Sequence, residues 1–578
     1  MSGEGRVIHG VDWQQTFPFI QIFNSFRVAI HLSKLALGLA LLLSVWIGGA
    51  VLDGIWFHSA RALPGEIGAY SQIASNDSGQ SLTQWRDETR SQIEATYAGM
   101  LEDYGVITPG DNEAPADEYQ RALDTAKKGD SLGDLEKKIA ERRDAAVKQA
   151  DSDYDTAVRS ADSRNLDQVK HDAATARDEA KMAAFDRARA DEEQAQEING
   201  EGLFSAFFGY EIHQVYLVVQ AVAHNNWVAP DGAVEHLFNF FTVGPVWLIF
   251  HHTIFFVFFG LWFLLIWALF GGAISRIAAV QVARDEKISI RQAMNFAVGK
   301  LLSFGSAPVI PVAIVLAIGL ILAAAALLGN IPFVGPIAIG ACFAFALLAG
   351  FVMTLVLLGT AGGFNLMYPT IAVEGSDSFD AISRSFSYVY ARPWRMLFYS
   401  LVALVYGAAT YIFVHCFIYI MLVLAHHFVG MGIFTRAADS RDLLSVMWPS
   451  PVTTGRVAYT VHYDALGPGQ SLGAFFIHIW VSLLVSFLGS FAISLYFSAN
   501  TIIYYLMRQE VDSTEMDDVY LEQSPDDQDP SMPMGMEPVH VSAAVTVISA
   551  TAEPPAEEPK DLPPPAAPEP PNETPASS

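Results

Sequence analysis

The feature that most constrains this chain of 578 residues is a long stretch without charge. No Asp, Glu, Lys or Arg lies between Lys300 and Glu374. Such a stretch can hold two helices that cross a bilayer, because one crossing takes about 20 apolar residues. Four further apolar segments can each supply one crossing, at residues 35–57, 246–270, 396–424 and 474–507. The sequence therefore predicts an all-α, polytopic helical membrane protein with about six transmembrane helices.

Charge is distributed unevenly along the chain. Residues 58–242 contain 34 acidic and 18 basic residues, and residues 510–578 contain 16 acidic residues and 1 basic residue. The remainder contains 11 acidic and 15 basic residues, so the membrane part is slightly basic and two soluble segments carry the negative charge. Strongly acidic segments disfavour nucleic acid and anionic lipid as partners.

Short basic loops predict the orientation of the spans, because cytoplasmic loops are enriched in Lys and Arg. The loop at 271–305 carries 5 basic residues and the loop at 359–395 carries 3. Both loops are therefore placed in the cytoplasm together with both chain termini, and residues 58–242 are placed outside the cell membrane. The loop at 425–473, which this orientation places outside, fits the rule less well, since it also contains three arginines, Arg436, Arg441 and Arg456.

These patterns divide the chain into six regions. They are a cytoplasmic interfacial arm (1–34), the first transmembrane helix (35–57), an extracytoplasmic acidic helical or coiled-coil domain (58–202), amphipathic interfacial helices (203–242), a five-helix membrane domain (243–509) and a disordered, acidic, Pro-rich cytoplasmic tail (510–578). Within the acidic domain, residues 131–197 are rich in Ala and charged residues, which favour helix. Residues 131–197 form either one long rod or a folded-back structure. We favour the folded-back structure, as a hairpin that turns at residues 163–165 or as a bundle with residues 81–128. The alternative for residues 203–223 is a seventh transmembrane helix, interrupted by polar residues.

Three segments of the membrane part carry a family resemblance. They are Phe26-Arg27-x-Ala29 with Lys34-Leu35, Gly271-Gly272 with Arg276 and Gln281, and Pro369 with Glu374, Asp377, Asp380 and Arg384. In these segments the chain resembles a bacterial family, of planctomycete type, of polytopic membrane proteins without an assigned activity. The last segment is also similar to the membrane domains attached to some glycerophosphodiester phosphodiesterases, although their catalytic domain is absent from this sequence. The resemblance covers the six spans and implies architecture only.

Histidines are the strongest candidates for functional residues. Five of them lie near the predicted outer ends of the spans: His251, His252, His426, His427 and His478. Imidazole is the commonest metal ligand, and an ionisable residue in a membrane is a functional candidate. The plainer interpretation is that each is an interfacial residue with its own hydrogen bond, so the sequence predicts no cofactor. A haem or metal site is kept as a weaker alternative.

A polar path through the spans is the second candidate. The residues that could line it are Asn365, Tyr368, Ser494, Ser498 and Asn500. Ion-coupled transporters commonly use a carboxylate or lysine buried within a span, and the interior of each predicted span lacks both, since Asp53 lies near the end of the first. Phosphate-binding Gly-rich loops, G-x-S-x-G and H-E-x-x-H are also absent from the sequence.

The sequence therefore favours a non-enzymatic membrane scaffold that presents an extracytoplasmic helical domain. Its expected partners are the lipid bilayer and proteins that bind the coiled-coil domain or the acidic tail, with self-association into a homo-oligomer left open. The alternative is a channel or transporter for a small solute, ion or lipid.

Overall fold

The computed structural model describes residues 17–57, 60–75, 81–107, 131–228, 230–451 and 459–521. Within these ranges the chain is helical and contains no β-strand; isolated β-bridges join Ala62 to Glu201 and Arg436 to Asp442. Seven of the described helices are long and apolar enough to cross a membrane. The predicted fold class, an all-α polytopic helical protein, is confirmed. The start of the predicted arm (1–16) and most of the predicted tail (522–578) lie outside the described residues.

The first long apolar helix, α1 (Leu32–Ile55), leads into a group of polar helices that we call the outer domain, after the location that the sequence predicts for it. These helices are α2 (Glu66–Ser75), α3 (Leu82–Asp103), α4 (Leu132–Ser160) and α5 (Leu166–Gln196). Helices α4 and α5 are antiparallel, because Glu136 contacts Gln196 and Asp151 contacts Lys181. They are joined by a turn at residues 163–165, so the hairpin is observed and the single rod is not.

Helix α3 closes the open end of the α4–α5 hairpin. Its residues Tyr97 and Leu101 are buried against Leu135, Ile139 and Ala188 of the hairpin. The alanine-rich seam buries little area by itself, and hairpins of this kind need a third element to be stable. The outer domain is therefore a three-helix arrangement at one end and a two-helix arm at the other.

The next segment differs from the sequence expectation. Helix α6 (Leu203–Ala223) and helix α7 (Ala233–His251) are antiparallel, and α7 starts well before the expected span at 246–270. The backbone breaks at His252 (φ −131°, ψ 44°), and α8 (Thr253–Ile266) follows. Both sides of the break are aromatic and apolar, so hydropathy does not mark its position. Helix α7 is itself long enough to cross a membrane, which is why seven long apolar helices are found instead of about six.

The membrane part continues from α8 through a π-helical turn at Trp267–Gly271. The remaining helices are α9 (Gly272–Arg284), α10 (Ile290–Gly299), α11 (Leu301–Ser306), α12 (Val309–Ala326), α13 (Val334–Glu374), α14 (Ser378–Ala391), α15 (Pro393–Gly430), α16 (Leu443–Met447) and α17 (Pro468–Asp512). The uncharged stretch thus forms α11, α12 and most of α13. The most apolar windows of α12 and α13 contain no residue buried by the protein, as expected for surfaces that face lipid.

The main core lies at the opposite end of the membrane part from the outer domain. It is formed by α9, α10, α11, the second half of α13, α14 and the end of α17. Two glycines bring α9 to its centre: a Cβ on Gly271 would lie 2.4 Å from Phe497, and one on Gly272 would lie 2.7 Å from Phe304. Any larger residue at either position would force these rings apart.

The N-terminal arm packs on the membrane helices. Its helical turns at Pro18–Asn24 and Ser25–Ala29 place Phe19 against Phe398 and Phe23 against Tyr406. Helix α1 begins at Leu32, so Lys34 belongs to this helix and not to the arm, and its side chain is fully buried.

Candidate functional site

The structure places the five histidines of the metal prediction in two separate regions. His251 stacks edge-on against Tyr70 of α2, with ring centroids 5.4 Å apart. His252 is buried at the break between α7 and α8, with its Nε2 3.7 Å from an oxygen of Glu66. Both therefore contact the base of the outer domain.

The other three histidines lie at the ends of α15 and α17. His426 is hydrogen-bonded through Nε2 to the carbonyl of Trp448 at 3.1 Å, His427 contacts Phe428, and His478 contacts Tyr459. Among the described residues, no group of three or more His, Cys, Asp or Glu side chains is placed to hold a metal ion.

The five residues of the predicted polar path are divided among separate contacts. Asn365 accepts a hydrogen bond from Tyr496, at 2.7 Å. Ser494 donates to the carbonyl of Ala29, at 2.7 Å. Tyr368 is buried between the rings of Phe304 and Phe497. Ser498 and Asn500 are buried on α17. The first two residues thus hold helices together, which is a packing role.

A buried carboxylate, Glu66, lies where the outer domain meets the membrane part. It accepts hydrogen bonds from the indole N–H of Trp247 (3.1 Å) and the backbone N–H of Leu63 (3.0 Å). The Arg86 guanidinium lies 3.5 Å away. Burial alone would raise the pKa of Glu66, but nearby His252, these donors and the charge of Arg86 outweigh it and lower the pKa. Glu66 therefore stays ionised and fixes α2 to α7 and α8.

A second contact lies further out, where α5 meets the loop that follows α15. Arg189 of α5 is buried and pairs with Asp439 (3.3 Å) and Asp464 (3.2 Å) of this loop, and with Asp186 of its own helix (3.3 Å). Asp439 is fully buried and accepts a further hydrogen bond from the backbone N–H of Arg441 at 3.1 Å. We call these four residues, Arg189, Asp186, Asp439 and Asp464, the outer joint.

Apolar and charged contacts surround the outer joint. Phe185 of α5 is buried against Ala437, Val446 and Ala465. Arg436 pairs with Asp178 of α5, and Arg441 pairs with Asp186. These are two of the three arginines that do not fit the charge-based orientation. Arg456, the third, lies outside the described residues. The loop is thus basic where it faces the acidic hairpin.

Sequence reasoning missed the outer joint and Glu66. The contacts from Arg189 to Asp439 and Asp464, and from Glu66 to Trp247, join residues that are between 181 and 275 positions apart in the chain, so no local pattern connects them. A signal did exist, however, in the basic residues of the 425–473 loop, which fit poorly with an outer location unless acidic residues face them.

A third charged cluster lies at the other end of the membrane part and contains the residues of the family resemblance. Glu374 pairs with Arg384 of α14 (3.1 Å) and with Arg508 of α17 (3.2 Å). Arg276 donates to the carbonyls of Ala372 (2.7 Å) and Tyr520 (2.6 Å). These contacts tie α9, α13, α14 and α17 together, so the shared residues have a structural role here.

No family model, curated protein or solved structure matches the chain. The resemblance of its spans to polytopic membrane proteins of planctomycete type therefore stays a prediction.

Proposed function

We propose that this protein is a membrane scaffold that presents the α4–α5 hairpin in a fixed orientation outside the cytoplasm. The observation that carries the proposal is the outer joint. A hairpin joined only by its chain ends would swing on its connections, whereas α5 is also held by Arg189 and Phe185, which lie one turn apart within the helix.

The energetics of the joint support a fixed orientation. Removing one partner of a buried ion pair typically costs about 3–5 kcal/mol, because the other charge is left without compensation. Glu66 supplies a second point of attachment at α2, and Asp53 at the end of α1 supplies a third. The carboxylate of Asp53 accepts hydrogen bonds from the backbone N–H groups of Phe204 (2.8 Å) and Ser205 (2.9 Å) at the start of α6. Three polar contacts on separate elements define one orientation.

The surface available to a partner is the part of the hairpin beyond the joint. There the end of α4 and the start of α5 expose charged residues, including Asp153, Asp155, Arg159, Asp167 and His171. Exposed charges on such helices can steer and orient a partner of complementary charge. We therefore assign this surface to a protein partner.

The proposed orientation keeps both chain termini in the cytoplasm. Because α6 and α7 form one antiparallel hairpin, they either cross the membrane together or remain outside together. In both cases the number of crossings stays even, and the outer domain stays on the side opposite the termini. Labelling of a cysteine at Asn225, between α6 and α7, would distinguish these two arrangements, with outside access expected if neither helix crosses.

The proposal is tested by photo-cross-linking in cells that express the full chain. A photoreactive residue is placed at Asp155 or His171 on the hairpin, and at Leu320 on the apolar face of α12 as a control. We expect one discrete protein adduct from each hairpin position and none from Leu320. The same adduct should persist in Arg187→Gln, an exposed change on the same helix, and be lost in Arg189→Met. No hairpin adduct, or an adduct indifferent to Arg189→Met, would contradict the proposal.

A further inference from the structure

A polar pocket lies beside the start of α1, at the end of the membrane part away from the outer domain. It has a volume of about 510 Å³, and its polar lining comes from Arg27, His31, Gln281, Asp285 and Lys287. Two exposed apolar side chains, Ile30 and Leu32, also line it. The pocket thus combines basic groups with apolar side chains at the end of a membrane helix.

A buried lysine lies directly behind this pocket. Lys34 is fully buried, and its ammonium donates to the side-chain oxygen of Gln281, which lines the pocket, at 2.9 Å. An amide is a neutral acceptor, and no carboxylate of the described residues lies within ion-pair distance of Lys34. A buried cation without a counter-charge is costly, so this arrangement favours a negative group nearby.

The other charges around the pocket do not cancel this excess. Arg27 and Asp285 form an ion pair at 3.4 Å, but both side chains are largely exposed, at 75% and 80%, and such pairs are weak. Lys287 has no acidic partner among the described residues. Burial, together with the charges of Lys34 and Lys287, lowers the pKa of His31. The two lysine charges thus contribute to this shift, as expected for an excess of positive charge around the imidazole.

The backbone and one imidazole nitrogen add unused hydrogen-bonding groups. Helix α1 begins without a side-chain cap, so the backbone N–H groups of Leu32 and Ser33 are available to a ligand, whereas that of Lys34 donates to the carbonyl of His31. The Nδ1 atom of His31 is buried and has no hydrogen-bond partner. The N-terminus of a helix favours an anion through its aligned N–H groups and dipole.

We propose that this pocket binds a phosphate group, supplied either by an anionic lipid headgroup or by free phosphate. The oxygens of the phosphate would accept from Arg27, Lys287 and the first N–H groups of α1, and its charge would compensate Lys34. If the phosphate belongs to a lipid, the exposed Ile30 and Leu32 are placed to contact its acyl chains.

The test measures ligand-dependent thermal stability of the purified full chain in a neutral detergent. One titration uses phosphatidylglycerol in mixed micelles, a second uses inorganic phosphate, and a third uses phosphatidylcholine. Stabilisation by phosphatidylglycerol alone identifies a lipid headgroup, and stabilisation by phosphate at comparable concentration identifies free phosphate. Equal responses to phosphatidylglycerol and phosphatidylcholine, with none to phosphate, would overturn the proposal.

Variants locate the effect. Because Lys34→Gln can disturb the core, the main variant is Arg27→Gln with Lys287→Gln, which changes two side chains at the pocket surface. We expect it to weaken the apparent affinity by at least about tenfold, since each basic residue near a surface contributes measurably to anionic lipid binding. The exposed Arg291→Gln change on α10 is the matched control and should leave affinity unchanged. An equal loss in both variants would show non-specific charge attraction and overturn the assignment.

Discussion

Two buried basic side chains of this protein, Arg189 and Lys34, differ in whether carboxylates compensate their charge. At the outer joint, Arg189 is surrounded by the carboxylates of Asp439, Asp464 and Asp186. At the pocket beside the start of α1, the ammonium of Lys34 donates to the amide oxygen of Gln281 and has no acidic partner among the described residues. The first cation is compensated within the chain, whereas the second is not. The difference separates a contact that fixes structure from one that leaves room for a ligand.

The largest expected effect is at the outer joint. Arg189→Met removes the cation that pairs with Asp439 and Asp464, and leaves the buried Asp439 with Arg441 as its remaining basic partner, at 3.5 Å. We therefore expect the contact between α5 and its loop to lose up to about 3–5 kcal/mol. Hydrogen exchange of α4, α5 and residues 431–447 should rise, while exchange in α9 and α10 should not change. Arg187→Gln, with an exposed side chain on the same helix, is the control and should leave protection intact.

The second prediction concerns pH at the base of the outer domain. The pKa of Glu66 is lowered in the folded protein, so its stabilising contribution is present above the ordinary carboxyl pKa of 4.5 and is lost as pH falls through the lower folded value. We therefore expect the protection factors of the α2 amides, which are corrected for the pH dependence of intrinsic exchange, to fall as the pH falls below about 4.5. Glu66→Gln should lower the amide protection of α2 at neutral pH and reduce the dependence of this protection on pH. An unchanged pH profile in Glu66→Gln would show that another group is responsible.

The third prediction is that removing the charge of Lys34 has the opposite effect on stability to removing the charge of Arg189. In detergent without anionic lipid or phosphate, Lys34→Met should be neutral or stabilise the protein by up to about 2 kcal/mol, because it removes an uncompensated buried charge. The matched change at Arg189 destabilises. Thermal unfolding of both variants under identical conditions measures the contrast. Strong destabilisation by Lys34→Met in the absence of anions would contradict an uncompensated charge.

The smallest expected effect is at the edge of the outer joint. Arg436 pairs with Asp178, but its side chain is 60% exposed. We expect Arg436→Gln to cost less than about 1 kcal/mol, and to cost nothing in high salt, where exposed charges are screened. Hydrogen exchange of α5 at low and high ionic strength is the measurement. A large loss that persists in high salt would mean that Arg436 belongs to the joint itself.

The parts of the fold that depend on local pattern could be predicted from the sequence. The uncharged stretch after Lys300 predicts the apolar helices α12 and α13, and the change of composition at residues 163–165 predicts the turn of the hairpin. Both signals arise from neighbouring residues. The break at His252 could not be predicted in this way, because a backbone kink leaves the hydropathy of its flanks unchanged.

The candidate sites depend on contacts between distant residues and were largely missed. The residues of the outer joint are up to 275 positions apart, and Lys34 reaches Gln281 across 247. A lysine near a helix end in a sequence normally predicts a side chain that extends toward water. Its burial depends on α9 covering α1, and only the folded chain shows this.

The central claim is that the outer joint holds the hairpin in one orientation. It is tested most directly by the distance between spin labels at Ala176, an exposed residue of α5, and Gly469, at the start of α17 with open space around it. The full chain is used, with the exposed Cys342 and Cys416 replaced by Ser. We predict one narrow distance distribution that broadens in Arg189→Met but not in Arg187→Gln. A broad distribution in the unmodified joint would contradict the account.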